Sequence, residues 1–532
     1  SENTAVGSSA LYSNTTGFVN TAVGKDALYA NTTGAYNVGL GEDALSSNTT
    51  ASHNTAIGTN CLLTNSTGEK NTAVGSASMF YNTTGSWNTA VGHESLQTNT
   101  TGGYNTTIGW KSLYSNTSGE KNVAVGVSTL YANTTGDNNT GVGFNTLYTN
   151  TTGHSNVALG KDAMYYNSTG NSNTALGYTA LQDNSTGNNN TAVGYQALFD
   201  NTTGAANVAV GYGALQLATT ADYNNAVGVN ALYANTTGAK NIAIGYIALT
   251  TNSTGEQNTA TGYGALKSNT TAQYNTAYGS YALYYNTTGS SLVAVGKDAL
   301  LYNTTGVENT AVGLDALETN TTGSYNTSVG VGGLFTNSTG NYNVAVGRTA
   351  LYYSTVSGYH TAVGQAALYK NTTGEQNTAC GQGALYENTT ASYCTAVGRH
   401  ALHKNTTGVR NTSVGAFSLY NNTTAAYNSG FGYGTLYTNI TGAYNTACGY
   451  GSLYSTTANS NTALGYFSLH NSSTGTNNLA VGDNALLNNT TGTANTALGS
   501  NALYTTTTVD RLTAVGYSAL YSNTSGDKNV AV

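Results

Sequence analysis

Asn20-Thr21-Ala22-Val23-Gly24-Lys25-Asp26-Ala27-Leu28-Tyr29-Ala30-Asn31-Thr32-Thr33-Gly34-Ala35-Tyr36 is one copy of a pattern that fills the chain. Copies begin at Asn3, Asn20, Asn37, Asn54 and Asn71 and keep that spacing as far as Asn445. The copy at Asn445 is one residue short, so the next begins at Asn461, and the spacing resumes through Asn478 and Asn495. A fixed short period over a whole chain is the signature of a solenoid, in which each unit packs only on its neighbours. Residues 1–532 therefore read as a single continuous array of about thirty-one units. The array opens and closes inside the repeat, which suggests a segment of a longer chain. The expected fold is all-β, a parallel β-solenoid.

Comparing copies gives each column a tolerance, and tolerance reports environment. The fourth position is branched or apolar (Val6, Val23, Ile57, Leu159), and the ninth is Leu (Leu11, Leu28) or Met (Met79, Met164). Both are expected to face the core. The second position is Thr or an aliphatic (Val123, Ile242, Leu479), which places it on the face of the fourth by strand alternation. The fifth is Gly from Gly7 and Gly24 through Gly228 to Gly516, as expected where a corner needs positive φ or close backbone approach. The small eighth position beside the core Leu suggests a second short strand with a bend. The unit closes through Asn-Thr-Thr-Gly, a turn composition.

The third position stays small in every copy, for example at Ala22, Ala73, Ala192, Ala311 and Ala447. If positions two and four face the core, this column faces away from it. Its restriction then predicts close packing by a second copy of the chain. Positions six, seven, eleven and sixteen accept Lys25, Glu42, Trp110, Glu387 and Arg399 without pattern, as solvated columns do.

Composition narrows the function classes. Charged residues make up 7% of the chain and proline is absent, while Tyr occurs 42 times. Proline removes a ladder donor, so its absence fits pairing nearly everywhere. The aromatic content argues against disorder. A net charge of −7 without basic clusters gives no footprint for nucleic acid or an anionic membrane. No apolar run is long enough to span a bilayer.

No cofactor, metal set or catalytic constellation interrupts the repeat, so the chain is expected not to be an enzyme. Asn31, Asn65 and Asn116 open N-glycosylation triplets. Coils stacked about 4.8 Å apart leave no room for a glycan on each, so an Asn ladder is the main expectation and sparse glycosylation the second. Cys61, Cys380, Cys394 and Cys448 read as buried thiols. His400 and His403 are neighbours without a third ligand. The adjacent Thr residues of the turn point to opposite sides of an extended stretch, which leaves an ice-binding array only a remote alternative.

The Asn-Thr-Ala-Val-Gly strand of Asn20 to Gly24 resembles the repeat of YadA-like head domains in trimeric autotransporter adhesins and bacterial haemagglutinins. The full unit is similar to shaft repeats of phage tail-fibre-like proteins. The resemblance covers the whole chain. It implies a left-handed parallel β-roll, assembled as a homotrimer or filament, in a fibre located extracellularly, on a cell surface or on a virion. The expected function is a self-associating, non-catalytic structural shaft. The alternative is an adhesin contacting a host surface or polysaccharide.

Overall fold

In a computed structural model, residues 2–532 are described, and they contain short β-strands joined by turns, with no helix. The strands run from β1 (Thr4–Val6) to β32 (Val530–Ala531), one per copy of the repeat. Every pairing recorded between them is parallel, with a register offset by one repeat: Thr21 opposes Val38, Ala22 opposes Gly39 and Val23 opposes Leu40. The shortened copy keeps register, since Thr446 opposes Thr462. The fold is thus a parallel β-solenoid. The chain divides into two compact units, one built on Ser1–Gly264 and the other on Ala272–Val532, each of them such a solenoid.

The strand is three residues long because the glycine after it turns the chain. Gly7, Gly24 and Gly228 have φ of +137° and Gly516 +125°. At Gly228 the carbonyl of Gly245 in the next coil occupies the place a Cβ would need. Both reasons for glycine therefore apply together.

The second short strand is not there. Positions six to eleven form a turn segment in which positions seven and nine are left-handed: Asp26 has φ +53° and Leu28 +53°. Position seventeen is left-handed too, with Tyr36 at +59°. Each such residue costs about 1–2 kcal/mol. The neighbouring coils hold the conformation: Asp26 N donates to Ser8 O (2.9 Å), Leu28 N to Ala44 O (2.9 Å) and Tyr36 N to Phe18 O (3.1 Å). Position seven had a signal for this, because Asp26, Asp43, Asn60, Asn145 and Gly213 are residue types that tolerate left-handed backbone.

The roll is thin, and its interior is made of small and polar side chains around one Leu column. Ala22, Ala27 and Leu28 are fully buried. A Cβ added to Gly39 would lie 3.4 Å from Leu28 Cγ, so the third-position column faces inward onto the Leu column. The expected strand orientation is therefore reversed. Val6 and Val23 point outward, 58% and 39% exposed. Leu28 lies in the core as expected, while Leu11 is half-buried because no preceding coil covers it.

Two Asn columns complete the interior. Asn31 Nδ2 donates to Asn14 Oδ1 of the preceding coil (2.8 Å) and to Gly34 O of its own (3.0 Å). At the first position, Asn20 Oδ1 accepts from Asn37 N (2.9 Å) and Asn20 Nδ2 donates to Gly34 O (2.8 Å). Buried amides are satisfied in this way, coil by coil. The exceptions follow the same logic: Asn201, Asn337 and Asn489 have unpartnered Oδ1 atoms. In each case the next coil carries Ala218, Ser354 or Thr506 where the donor Asn would stand.

Candidate functional site

Two surfaces stand out, and the strand's alternation builds the first. With Ala22 turned inward, Thr21 and Val23 must turn outward, and the same alternation runs from β2 to β31. Leu159 is 50% exposed and Tyr278 61%. Across the whole sequence neither outward column contains a charged residue: the second position holds Thr, Val, Ile, Leu, Asn or Ser, and the fourth is mainly Val, Ile or Leu. An exposed, uncharged stripe with an aliphatic column is the kind of patch through which proteins interact.

The self-association face expected at Ala22, Ala73, Ala192, Ala311 and Ala447 is corrected by their burial. All five are fully buried within the chain's own roll, so none can touch another molecule. The column is small because the opposite wall of a thin coil is close. The glycosylation triplets fail for a related reason. Asn31, Asn65 and Asn116 are fully buried, and Asn65 Nδ2 already donates to Asn48 Oδ1 (3.0 Å) and Gly68 O (2.9 Å). A glycan on that nitrogen would have no exit and would break the ladder. Of the cysteines, Cys61 and Cys394 are buried, whereas Cys380 and Cys448 sit exposed on the outward strand face. Burial pushes the Cys61 thiol up to about 12 and the Cys394 thiol to about 11, so neither is a ready nucleophile.

The first Thr hydroxyl of each turn is spent on the coil itself, as Thr15 Oγ1 donates to Thr32 O (2.9 Å) and Thr32 Oγ1 to Thr49 O (3.1 Å), while the second, as at Thr33, stays exposed.

Aromatic rings form the second surface. In-register stacking places the tenth position of successive coils face to face: Tyr114, Tyr131, Tyr148 and Tyr165 stack with centroids 5.0–5.1 Å apart. A longer column runs unbroken from Phe335 through Tyr352, Tyr369, Tyr386, His403 and on to His470. Shorter columns occur at position six (Tyr195 on Tyr212, 5.1 Å) and position seventeen (Tyr325 on Tyr342, 4.8 Å). Between columns six and ten lie open grooves, one of about 290 Å³ at Trp110, Tyr131 and Tyr148, and another of about 410 Å³ at Tyr433, Tyr454 and His470. The tyrosine count argued for order, and only the coil register turns the rings into columns.

His400 and His403 do meet, with Nδ1 atoms 3.2 Å apart, and His403 Nδ1 lies 2.9 Å from Gly383 O. Burial first, then His403 and Arg399, lower the pKa of His400. Among the described residues no group of three His, Cys, Asp or Glu could hold a metal ion. No described helix is long and apolar enough to cross a membrane. No protein-family model matches the chain, and no curated protein matches it.

Proposed function

We propose that the chain is the structural repeat of an extracellular or virion fibre, non-catalytic, which associates with copies of itself through its outward strand face. The observation that carries this is the pair of exposed columns at positions two and four, uncharged in every coil. Covering an exposed Val and the methyl of a Thr contributes on the order of 1 kcal/mol per coil. Repeated over many coils, that exceeds an association cost of about 4–15 kcal/mol, even with imperfect fit. A trimer is the assembly that the resemblance to surface-adhesin and tail-fibre repeats suggests, with a filament as its rival.

The test is the mass of the full chain in solution at micromolar concentration, by light scattering or sedimentation. The native sequence is expected as an oligomer. The combined substitution Val23→Lys, Val91→Lys and Leu159→Lys is expected to dissociate it while leaving the β circular dichroism unchanged. A folded native monomer overturns the proposal. An adhesin is the second reading, favoured by the aromatic columns, which lie on a different side of the coil from the strand face.

A further inference from the structure

We propose that the stretch around the long aromatic column, from Arg348 to Arg410, is a binding site for a linear acidic polysaccharide. Charge is the first observation. The chain as a whole is acidic, at −7. Yet between Glu318 and Asp483 the cations Arg348, Lys370, Arg399, Lys404 and Arg410 face only Glu375 and Glu387. Elsewhere several lysines are paired, Lys25 at 3.4 Å from Glu42 and Lys111 at 3.3 Å from Glu94, and Lys70 and Lys121, without an ion pair among the described residues, each have a Glu next to them in sequence. Within the stretch Lys370 pairs with Glu387 (2.6 Å), but among the described residues no carboxylate lies within ion-pair distance of Arg348, Arg399 or Lys404.

Placement is the second observation. Arg348 and Arg399 occupy position six and Lys404 position eleven, so they flank the column of rings at position ten from opposite sides. Arg399 lies over Phe417 (5.5 Å) and Lys404 over Tyr420 (5.4 Å). Beside them Thr336, Tyr353, Thr355, Lys370, Thr372 and Thr389 line an open, largely apolar cavity of about 490 Å³, in which the hydroxyls of Thr336, Thr372 and Thr389 bond to the coil itself. Coils repeat every ~4.8 Å, close to the advance of one sugar in an extended chain. An anionic polysaccharide lying along the column would thus meet cations on both flanks at intervals of a few coils.

Ring geometry separates this ligand from single-stranded nucleic acid. A base needs a free ring face to stack on. Here Tyr369 and Tyr386 stack on each other at 5.0 Å and 9°, and Tyr420 and Tyr437 at 5.3 Å and 8°. Their faces are covered, and the phenolic hydroxyls remain, which suit the hydroxyl and carboxylate groups of a sugar acid by hydrogen bonding. The site uses none of the outward strand face, so it stands or falls independently of self-association.

The test is binding of the full chain to polygalacturonate, to neutral dextran and to a poly-dT oligonucleotide, by calorimetry across a salt series. Polygalacturonate is expected to bind with an affinity that falls as salt rises. The combined substitution Arg348→Gln, Arg399→Gln and Lys404→Gln is expected to weaken it by at least about tenfold and to flatten the salt slope by about 2–3. Lys111→Gln, beside the shorter Tyr column, is expected to leave binding unchanged. Unaltered circular dichroism of the triple variant excludes unfolding as the cause. Absence of binding at low salt, equal affinity for dextran, tighter binding of poly-dT, or an unaffected triple variant each overturns the proposal.

Discussion

Inside the coil, around Asn133 and Ala158, the molecule is tight and largely polar: amides bond to amides, and Ala fills what is left. Outside, on the strand two bonds away, Leu159 and its equivalents are aliphatic and half open to solvent. Apart from the buried Leu column, this inverts the usual arrangement of soluble proteins, in which large aliphatics are buried and amides exposed. The difference teaches that in a coil this thin, interior volume rather than hydrophobicity selects the residue. Opposite the Leu column the third position admits nothing larger than Thr107, since a Cβ on Gly39 already lies 3.4 Å from Leu28 Cγ, whereas the Asn columns are satisfied by the coils above and below.

The comparison can be broken at several points. The largest effect is expected from Gly228→Val, where a Cβ collides with the Gly245 carbonyl and a β-branched residue must hold φ of +137°. A local loss of more than about 4 kcal/mol is expected in hydrogen exchange of the neighbouring coils. Next comes Ala158→Gln, an overpacked interior position, at about 3 kcal/mol in urea titration. Asn133→Ala removes donors to Asn116 Oδ1 (2.9 Å) and Gly136 O (3.0 Å) and an acceptor for Asn150. About 2 kcal/mol is expected to be lost there, because buried partners are left unpaired.

His360 tests whether the ladder needs Asn or only satisfaction. It stands at a first position, 1% exposed, and its Nδ1 accepts from Asn377 N (3.2 Å) while Nε2 lies 3.2 Å from Ser357 Oγ. Ser354 and Ser357 replace the usual Asn and Gly beside it, and among the described residues no charged group acts on it. Burial lowers the His360 pKa from 6.5 to about 4. The unfolded chain therefore takes up the proton first. The stability held by the neutral ring is complete above pH ~6.5 and is lost as pH falls to ~4, on the order of 2–3 kcal/mol. Hydrogen exchange of these coils at pH 4 and 7 measures it, and His360→Asn is expected to remove the pH dependence. The smallest effect is expected at Leu159→Gln, within about 0.5 kcal/mol for the isolated coil, beside the large effect of Ala158→Gln. Equal losses at the two adjacent positions would break the inside–outside assignment.

The repeat, the parallel register, the glycine corner and the Leu28 column were legible in the sequence, because each follows from period and residue type. The Asn ladder was legible too, as a turn composition with no room for glycans. The identity of the inward face was not. Alternation groups Thr21 with Val23 and sets Ala22 apart, but it is symmetric and does not say which side is in. Hydrophobicity pointed one way and size the other, and size decided, because the opposite wall lies within van der Waals reach of the third position.

By itself the sequence determined that this chain repeats and stacks, since a fixed period leaves each unit only its neighbours to pack on. Only the tertiary structure decided that the aliphatic columns stay outside and the tyrosines form columns. Both depend on how far apart the walls of a coil stand and on which atoms the next coil brings alongside, and those distances exist only once the coils are stacked.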